Sequence, residues 1–440
     1  ACKSSTVPSQ SEHALMDANI PILNPINVQE ILDFGIYGWA MSRYSGCWVG
    51  MKCITDTVDT SASVDVDTDR VKIVIPTDFE MPDDGLHIRW PDPALDQELR
   101  LQKHKINAAL AFARANKINY TTMDSKKPRF GIVSTGKSYL DTLQALNDLG
   151  IDQDEAERIG IRLYKVGMPW PLEPDGIRKF AEGLDEILVI EEKRAVIENQ
   201  LKEQLYNWNP NVRPRVIGKF NEAGDWILPS AGELTPARIA RVIADRIQNF
   251  HKSPSIADRL NFLEAKERTI LEHKTPVQRI PYFCSGCPHN SSTKVPEGSR
   301  ALAGIGCHYM VIWMDRNTST FTHMGAEGVS WIGQSPFTDT EHVFTNLGDG
   351  TYFHSGIMAI RASVAAKVNI TYKILYNDTV AMTGGQTMDG PLDPAIISRQ
   401  VSAEGAKRVI VVSDEPDKYP LNTNFASGVT FHHRDDLDGL

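Results

Sequence analysis

Three short apolar runs recur through the middle of the chain: RFGIVS (129–134), IRLYKVG (161–167) and DEILVIEE (185–192). Runs of this length bounded by turn residues read as strands. Elsewhere the apolar spacing shifts to every third or fourth position, over KSYLDTLQALNDLG (137–150), PDGIRKFAEGL (174–184) and TPARIARVIADRIQNF (235–250). That period predicts amphipathic helices. Ser134 or Thr135 can cap the first of them, and Gly150 can stop it. Strands alternating with helices predict an α/β fold with a doubly wound, mostly parallel sheet. The stretch 251–280 reads as loop-rich and closes this unit.

On either side the pattern changes. Residues 20–75 mix short apolar runs with turn signals (IPILNPINVQEILDFGIYGWAMSR, CWVGMKCI, RVKIVIP), which reads as α/β structure of moderate regularity. The stretch 77–128 is richer in Pro, Asp, Lys and Arg and reads as an inter-domain arm with one helix over 95–116. Downstream, strand HVFTNL (342–347), turn GDGT, helix YFHSGIMAIRASVAAK (352–367) and strand NITYKILYND (369–378) make one βαβ crossover.

Composition narrows the classes. The chain has 440 residues, 41% hydrophobic and 23% charged, enough for about three domains. Its formal net charge of −10 argues against nucleic acid as a partner. No run approaches the roughly 20 apolar residues of a membrane-spanning helix. The opening ACKSSTVPSQSEH has neither a basic nor an apolar signal region and no initiator Met, so the chain reads as processed or as an internal piece. Its six cysteines are Cys2, Cys47, Cys53, Cys284, Cys287 and Cys307, too sparse for a disulfide scaffold. The last three fall close together, as metal or cluster ligands do, and the compartment reads as reducing cytoplasm.

Two motifs invite chemistry. GIVSTGKS (131–138) fits a phosphate-binding G-x-x-x-x-G-K-S letter for letter. In a true phosphate loop the strand precedes the first glycine, whereas here the strand lies between the two, so the match reads as a capped helix start. The second is Gly348-Asp349-Gly350 at the carboxyl end of a predicted strand, where α/β sheets bind ligands. Gly350 lets backbone approach closely, and the following helix offers N–H groups to a phosphate. A carboxylate beside phosphates suits Mg²⁺. Asn377, 28 residues on, ends the neighbouring strand and offers a second oxygen. A plain Asp-Gly turn is the alternative.

GDG followed about thirty residues later by Asn resembles the thiamine diphosphate fingerprint. The continuation YNDTVAMTGGQ (376–386), with FCSGCPHN, GIGCHYM, THMGAEG and STGKSYLDTLQALNDLGI, resembles the 2-oxoacid:ferredoxin oxidoreductases, specifically their large fused indolepyruvate type. The likeness covers essentially the whole chain. It implies that Asp349, the Asn377 side chain and the Thr379 carbonyl bind Mg²⁺. It implies that backbone near Gly348, Gly350, Thr351, Val380, Ala381 and Met382 holds the diphosphate, helped by Gly306, Cys307 and His308. His323 falls where relatives have a cofactor-side histidine, the alternative being a satisfied or surface one. Glu327 reads rather as a helix cap or surface residue.

The same likeness makes Cys284, Cys287 and Cys307 three ligands of a [4Fe–4S] cluster, which needs four. The fourth would lie beyond Leu440, or be Cys2, Cys47 or Cys53, or the cluster is absent. A zinc site using His289 or His308 is the rival, and three unrelated cysteines a further one. Haem attachment fails because Pro288 interrupts C-x-x-C-H. The implied organisation is the end of a pyrimidine-binding domain plus linker (1–125), a transketolase C-terminal-like domain (126–275) and a truncated thiamine-diphosphate domain (276–440). The glutamate that activates the cofactor is expected N-terminal to this chain, since Glu12 and Glu30 match poorly. The implied activity is oxidative decarboxylation of an aryl 2-oxoacid, indolepyruvate, with coenzyme A and ferredoxin, in a homo-oligomer. A non-oxidative thiamine-diphosphate decarboxylase or carboligase is the alternative, and a non-catalytic subunit the second.

Overall fold

The computed structural model describes residues 10–272 and 280–440. It divides into two compact units, Ala1–Lys274 and Thr275–Leu440.

In the first unit, short helix α1 (Glu12–Asp17) precedes α2 (Val28–Ser45) and α3 (Ile106–Ala115). An alternating α/β series follows: β1 (Asn119–Met123), β2 (Phe130–Thr135), α4 (Gly136–Asp148), α5 (Gln153–Ile159), β3 (Ile161–Val166), α6 (Pro174–Ala181) and β4 (Glu186–Ile190). It ends with α7 (Ile197–Leu205), β5 (Arg215–Ile217), α8 (Pro236–Ile247) and α9 (Pro254–Glu272). The sheet runs β1-β3-β2-β4-β5, parallel except for β1, which pairs antiparallel with β3 at the edge.

Every residue of β2 is buried, and alternate positions serve opposite layers, as a pleat requires. Phe130 and Ile132 join Leu188 and Ile190 of β4 against α4, α5 and α8. Val133 joins Ile187 and Val189 against α6 and α7. Each such Leu or Ile side chain contributes about 1.5–3 kcal/mol by leaving water. The doubly wound reading of this region therefore holds, with one antiparallel edge added.

Three local readings change. The loop-rich 251–280 contains the 19-residue α9, whose Ile256, Leu260 and Leu263 pack on the α4–α8 core. The arm around 95–116 is drawn in: Ala109, Phe112 and Ala113 of α3 pack against Phe34 and Met41 of α2. RVKIVIP forms no strand. Instead the Asn116 side chain donates to the Val74 carbonyl and accepts from its N–H, both at 2.8 Å.

The second unit carries a four-stranded parallel sheet. Its elements are β6 (Ala301–Ala303), β7 (Thr318–Phe321), α10 (Val329–Gln334), β8 (Val343–Gly348), α11 (Ile357–Ala366) and β9 (Ile370–Leu375). The strand order is β9-β8-β6-β7. Beyond it lie α12 (Pro394–Glu404) and a parallel pair, β10 (Ile410–Ser413) with β11 (Thr430–His433). Strands β8 and β9 run in register from Val343↔Ile370 to Gly348↔Leu375, so their carboxyl ends finish side by side. Leu347 anchors that end in a core with Tyr352, Ile360 and Val401.

Candidate cofactor site

Asp349 follows β8 directly and opens a helix that passes through a π-helical turn (Tyr352–Gly356) into α11. It is 4% exposed. Its Oδ1 accepts the Gly350 N–H at 2.8 Å, and its Oδ2 accepts the N–H groups of Asn377 and Asp378, each at 2.8 Å. One carboxylate thus ties the end of β8 to the end of β9. Asn377 Oδ1 turns back to accept the Thr379 N–H at 3.1 Å. The loop beyond closes on Gln386: the Val380 N–H and the Thr379 hydroxyl both reach its carbonyl, at 2.9 and 3.1 Å. Val380 and Met382 on that loop are exposed. Gly350 lies against it so closely that a Cβ there would come 3.1 Å from Val380 Cγ2.

A carboxylate offers about four lone-pair positions. Asp349 uses three for backbone donors, which leaves one for a cation, and the Asn377 side-chain oxygen stands on the same loop. The donor set is all oxygen, which suits Mg²⁺. These residues fit the magnesium and diphosphate groups that the sequence implies.

On the other side of Gly348 stands His308, 3% exposed, with Nε2 unpartnered. A Cβ on Gly348 would sit 3.3 Å from the His308 ring, and one on Gly304 would collide with the Asn346 carbonyl. Glycines let this turn close against the strand end. Burial first, and the neighbouring His289 second, push the His308 imidazole down to about 3, so it is neutral. The two imidazole rings are 6.0 Å apart. Burial also lowers His289, partly opposed by the Asp349 charge. Gly306, His308, Gly348, Asp349, Gly350, Asn377, Thr379 and Val380 therefore gather around one strand end.

The cysteines are less closely assembled. The Cys287 N–H donates to the Cys284 carbonyl at 3.0 Å, making a tight turn. Burial raises the Cys307 thiol, and the charges of Cys287 and Cys284 raise it further, so the three lie within electrostatic reach of one another. Among the described residues no three His, Cys, Asp or Glu side chains converge as a ready metal group. Cys47 is buried in the first unit and Cys53 is exposed there. His323 is exposed, and no hydrogen bond ties its ring to the other site residues among those described.

Glu327 corrects the surface reading: it is 0% exposed. Its Oε2 accepts the Gly325 N–H at 2.7 Å while Oε1 lacks a partner, and burial raises its pKa. Asn346 belongs to no motif in the sequence. It faces the same side of β8 as Gly348, is 1% exposed, and both its side-chain polar atoms are unpartnered. Its register partner on β9 is Lys373, whose ammonium donates to the Ser292 carbonyl at 3.1 Å and which burial lowers to about 8. An Asn and a Lys facing each other inside apolar strands were the available signal.

Residues 119–273 match the indolepyruvate ferredoxin oxidoreductase middle domain, and residues 304–414 match the thiamine pyrophosphate enzyme C-terminal TPP-binding domain. Curated relatives named indolepyruvate oxidoreductase subunit IorA align over most of the chain. The protein of Thermococcus kodakarensis is 25% identical, over 93% of this chain and 63% of its own length. That of Pyrococcus abyssi is 25% identical over 96% and 65%, and that of Methanothermobacter marburgensis 24% over 87% and 59%. The chain thus spans less than two thirds of the relatives it matches. Among solved structures, a 2-oxoglutarate:ferredoxin oxidoreductase from Magnetococcus marinus matches at a TM-score of 0.33 and 13% identity, over 52% of this chain and 42% of that one. With a middle-domain match followed by a thiamine-diphosphate-binding match, and relatives of one name along nearly all of it, the chain is similar to the indolepyruvate ferredoxin oxidoreductases.

Proposed function

We propose that this chain forms the cofactor-binding part of an indolepyruvate-type 2-oxoacid:ferredoxin oxidoreductase, oxidatively decarboxylating an aryl 2-oxoacid. Coenzyme A takes the acyl group, and electrons pass through a [4Fe–4S] cluster to ferredoxin. The observation that carries the reading is the Asp349 carboxylate, which joins two adjacent strand ends and keeps one lone-pair position free beside Asn377. When bound, thiamine diphosphate supplies the nucleophilic carbon and the electron sink for decarboxylation.

The chain's own residues would do the holding. Asp349, Asn377 and the Thr379 carbonyl would bind Mg²⁺. Gly350 and Thr351 would present first-turn N–H groups to the diphosphate, with the Val380, Ala381 and Met382 backbone opposite and Gly306, Cys307, His308 and Gly348 alongside. Neutral His308 can direct a ring nitrogen inward without adding charge. His323 is the candidate for handling a substrate proton. Cys284, Cys287 and Cys307 would supply three of the four cluster thiolates. Glu12 pairs with Lys52 at 2.5 Å and Glu30 contacts Lys165, so neither is assigned as the activating glutamate, which we place outside these residues.

Residues 1–125 would complete a pyrimidine-binding domain, 126–275 form the transketolase C-terminal-like domain, and 276–440 the diphosphate domain. Among the described residues no helix is long and apolar enough to cross a membrane. A cytoplasmic homo-oligomer is part of the proposal.

Anaerobic purification followed by iron, sulfide and thiamine diphosphate binding assays tests it. The expected result is Mg²⁺-dependent cofactor binding with about four irons and a broad absorption band near ~400 nm. Cofactor binding without iron would move the protein to the non-oxidative decarboxylases and carboligases. Loss of both would leave a non-catalytic subunit and overturn the proposal.

A further inference from the structure

The first unit encloses a partly open cavity of about 50 Å³ that the proposed chemistry does not use. It lies where the chain leaves β2 for α4 on one face of the sheet and β4 for α7 on the other. Such a switch point, outside the carboxyl ends of parallel strands, is where α/β sheets take up ligands. Its lining includes Lys137 and Ser138, the last two letters of the phosphate-loop match.

Most polar groups here are already engaged. Lys137 pairs with Asp141 at 2.6 Å and Glu233 at 3.1 Å, and Lys193 donates to the Gly232 carbonyl at 2.9 Å. Glu191 accepts the N–H groups of Val196, Ile197 and Glu198 and so caps α7. Lys52 holds Glu12 Oε1.

Two buried atoms are left without partners: the hydroxyl of Ser138, 1% exposed, and Oε2 of Glu12, 5% exposed. Helix α4 also begins without a side-chain cap, because the Thr135 hydroxyl donates to the Val166 carbonyl instead. Ser138, with its free hydroxyl in the first turn of α4, and Glu12, with its free carboxylate oxygen, both line the cavity.

Charge decides what fits. Five carboxylates line the cavity (Glu12, Asp56, Glu191, Glu192, Glu233) against the ammonium groups of Lys52, Lys137 and Lys193. A phosphate or other bare anion meets net repulsion, and a bare cation leaves the Ser138 hydroxyl unserved. No three potential ligands converge on a metal among the described residues. At roughly 10–15 Å³ per water-sized probe, the volume matches a head group of a few heavy atoms, with any side chain leaving through the open mouth.

We propose that this cavity binds a small zwitterion of the α-amino-acid class, its carboxylate on Ser138 and the start of α4 and its ammonium on Glu12. Isothermal titration of the whole chain with glycine, L-alanine, acetate, methylammonium and inorganic phosphate tests it. The expected result is that the amino acids bind more tightly than acetate, methylammonium or phosphate, each of which carries charge of one sign only. Ser138→Ala and Glu12→Gln should each weaken that binding at least tenfold, with folding checked by thermal melting. Asp349→Asn should leave it unchanged, which separates this site from the cofactor site. Absent amino-acid binding, equal or tighter binding of a probe with charge of one sign only, or indifference to Ser138→Ala would overturn the proposal. If Glu12→Gln fails to fold, Ser138→Ala decides alone.

Discussion

Replacing Asp349 by Asn changes one oxygen for an NH₂ group and little else in shape. The carboxylate accepts three backbone N–H bonds at 2.8 Å. An amide keeps one acceptor, so it can serve Asn377 and Asp378 or Gly350, but not both sides. The side that loses then meets an NH₂ aimed at an N–H. Hydrogen bonds to a charged acceptor contribute about 1.5–3 kcal/mol each. Losing one and weakening two therefore costs about 2–4 kcal/mol, discounted because Asn377 and Asp378 are exposed and water can replace part of the loss. For a unit of this size, each kcal/mol lowers the melting temperature by roughly 2–4 °C. The expected shift by differential scanning calorimetry is about 5–10 °C for the second unit. If the same carboxylate holds Mg²⁺, titration with thiamine diphosphate at saturating Mg²⁺ should show at least a ~100-fold loss, about 2.7 kcal/mol. The two readouts separate the roles. A large melting shift with affinity within about threefold of the parent would make Asp349 a structural bridge and remove it from the metal site. A shift below about 1 °C would refute the bridge itself.

Three further outcomes follow from buried groups elsewhere. Burial lowers Lys373 to about 8. The folded state therefore binds this proton less well than the unfolded chain, and stability rises as pH climbs from about 8 towards 10.4, at up to about 1.4 kcal/mol per pH unit. Melting curves at pH 7.5 and 9.5 should show that gain vanish in Lys373→Met. In the first unit Lys165 is 3% exposed, contacts Glu30, and lies over the rings of Phe34, Tyr120 and Tyr139. Glu30→Gln alone should cost about 3–5 kcal/mol in chemical denaturation, and the double change with Lys165→Met clearly less, because only the single change strands a buried charge. Gly304→Ala should cost at least ~3 kcal/mol, since its Cβ would strike the Asn346 carbonyl, against about 1 kcal/mol for Gly286→Ala, which opens onto free space. Equal effects at the two glycines would contradict the described packing.

The pairing of Asp349 with the Asn377 segment could be read from sequence because a βαβ crossover puts consecutive strand ends side by side, whatever the helix between them does. Strands β2, β3 and β4 of the five in the first unit's main sheet are equally open to reading, each being a dense apolar run. What failed was surface-facing or long-range. Helix α9 carries its apolar contacts at 256, 260 and 263, a helical spacing, but charged residues outnumber them and mask it. The alanine-rich face of α3 signals close packing without naming its partner, which lies more than sixty residues earlier on α2. Glu327 looks like a surface acid because nothing in THMGAEG reports that the chain folds over it. How closely the three cysteines approach depends on loops whose course no periodicity encodes.

The side-chain pairing of Asn116 with Val74 bears on self-association. Val-Lys-Ile-Val-Ile is β-prone and pairs with no strand among the described residues; Val74 and Ile75 are 49% and 59% exposed. A bare segment of this kind is a template for edge-to-edge association. The Asn116 amide occupies both backbone groups of Val74, as one residue of a partner strand would, and Pro76 withholds an N–H at the end. One amide side chain thereby takes up the backbone groups that a cross-β partner would need at this residue, a duty unrelated to any cofactor.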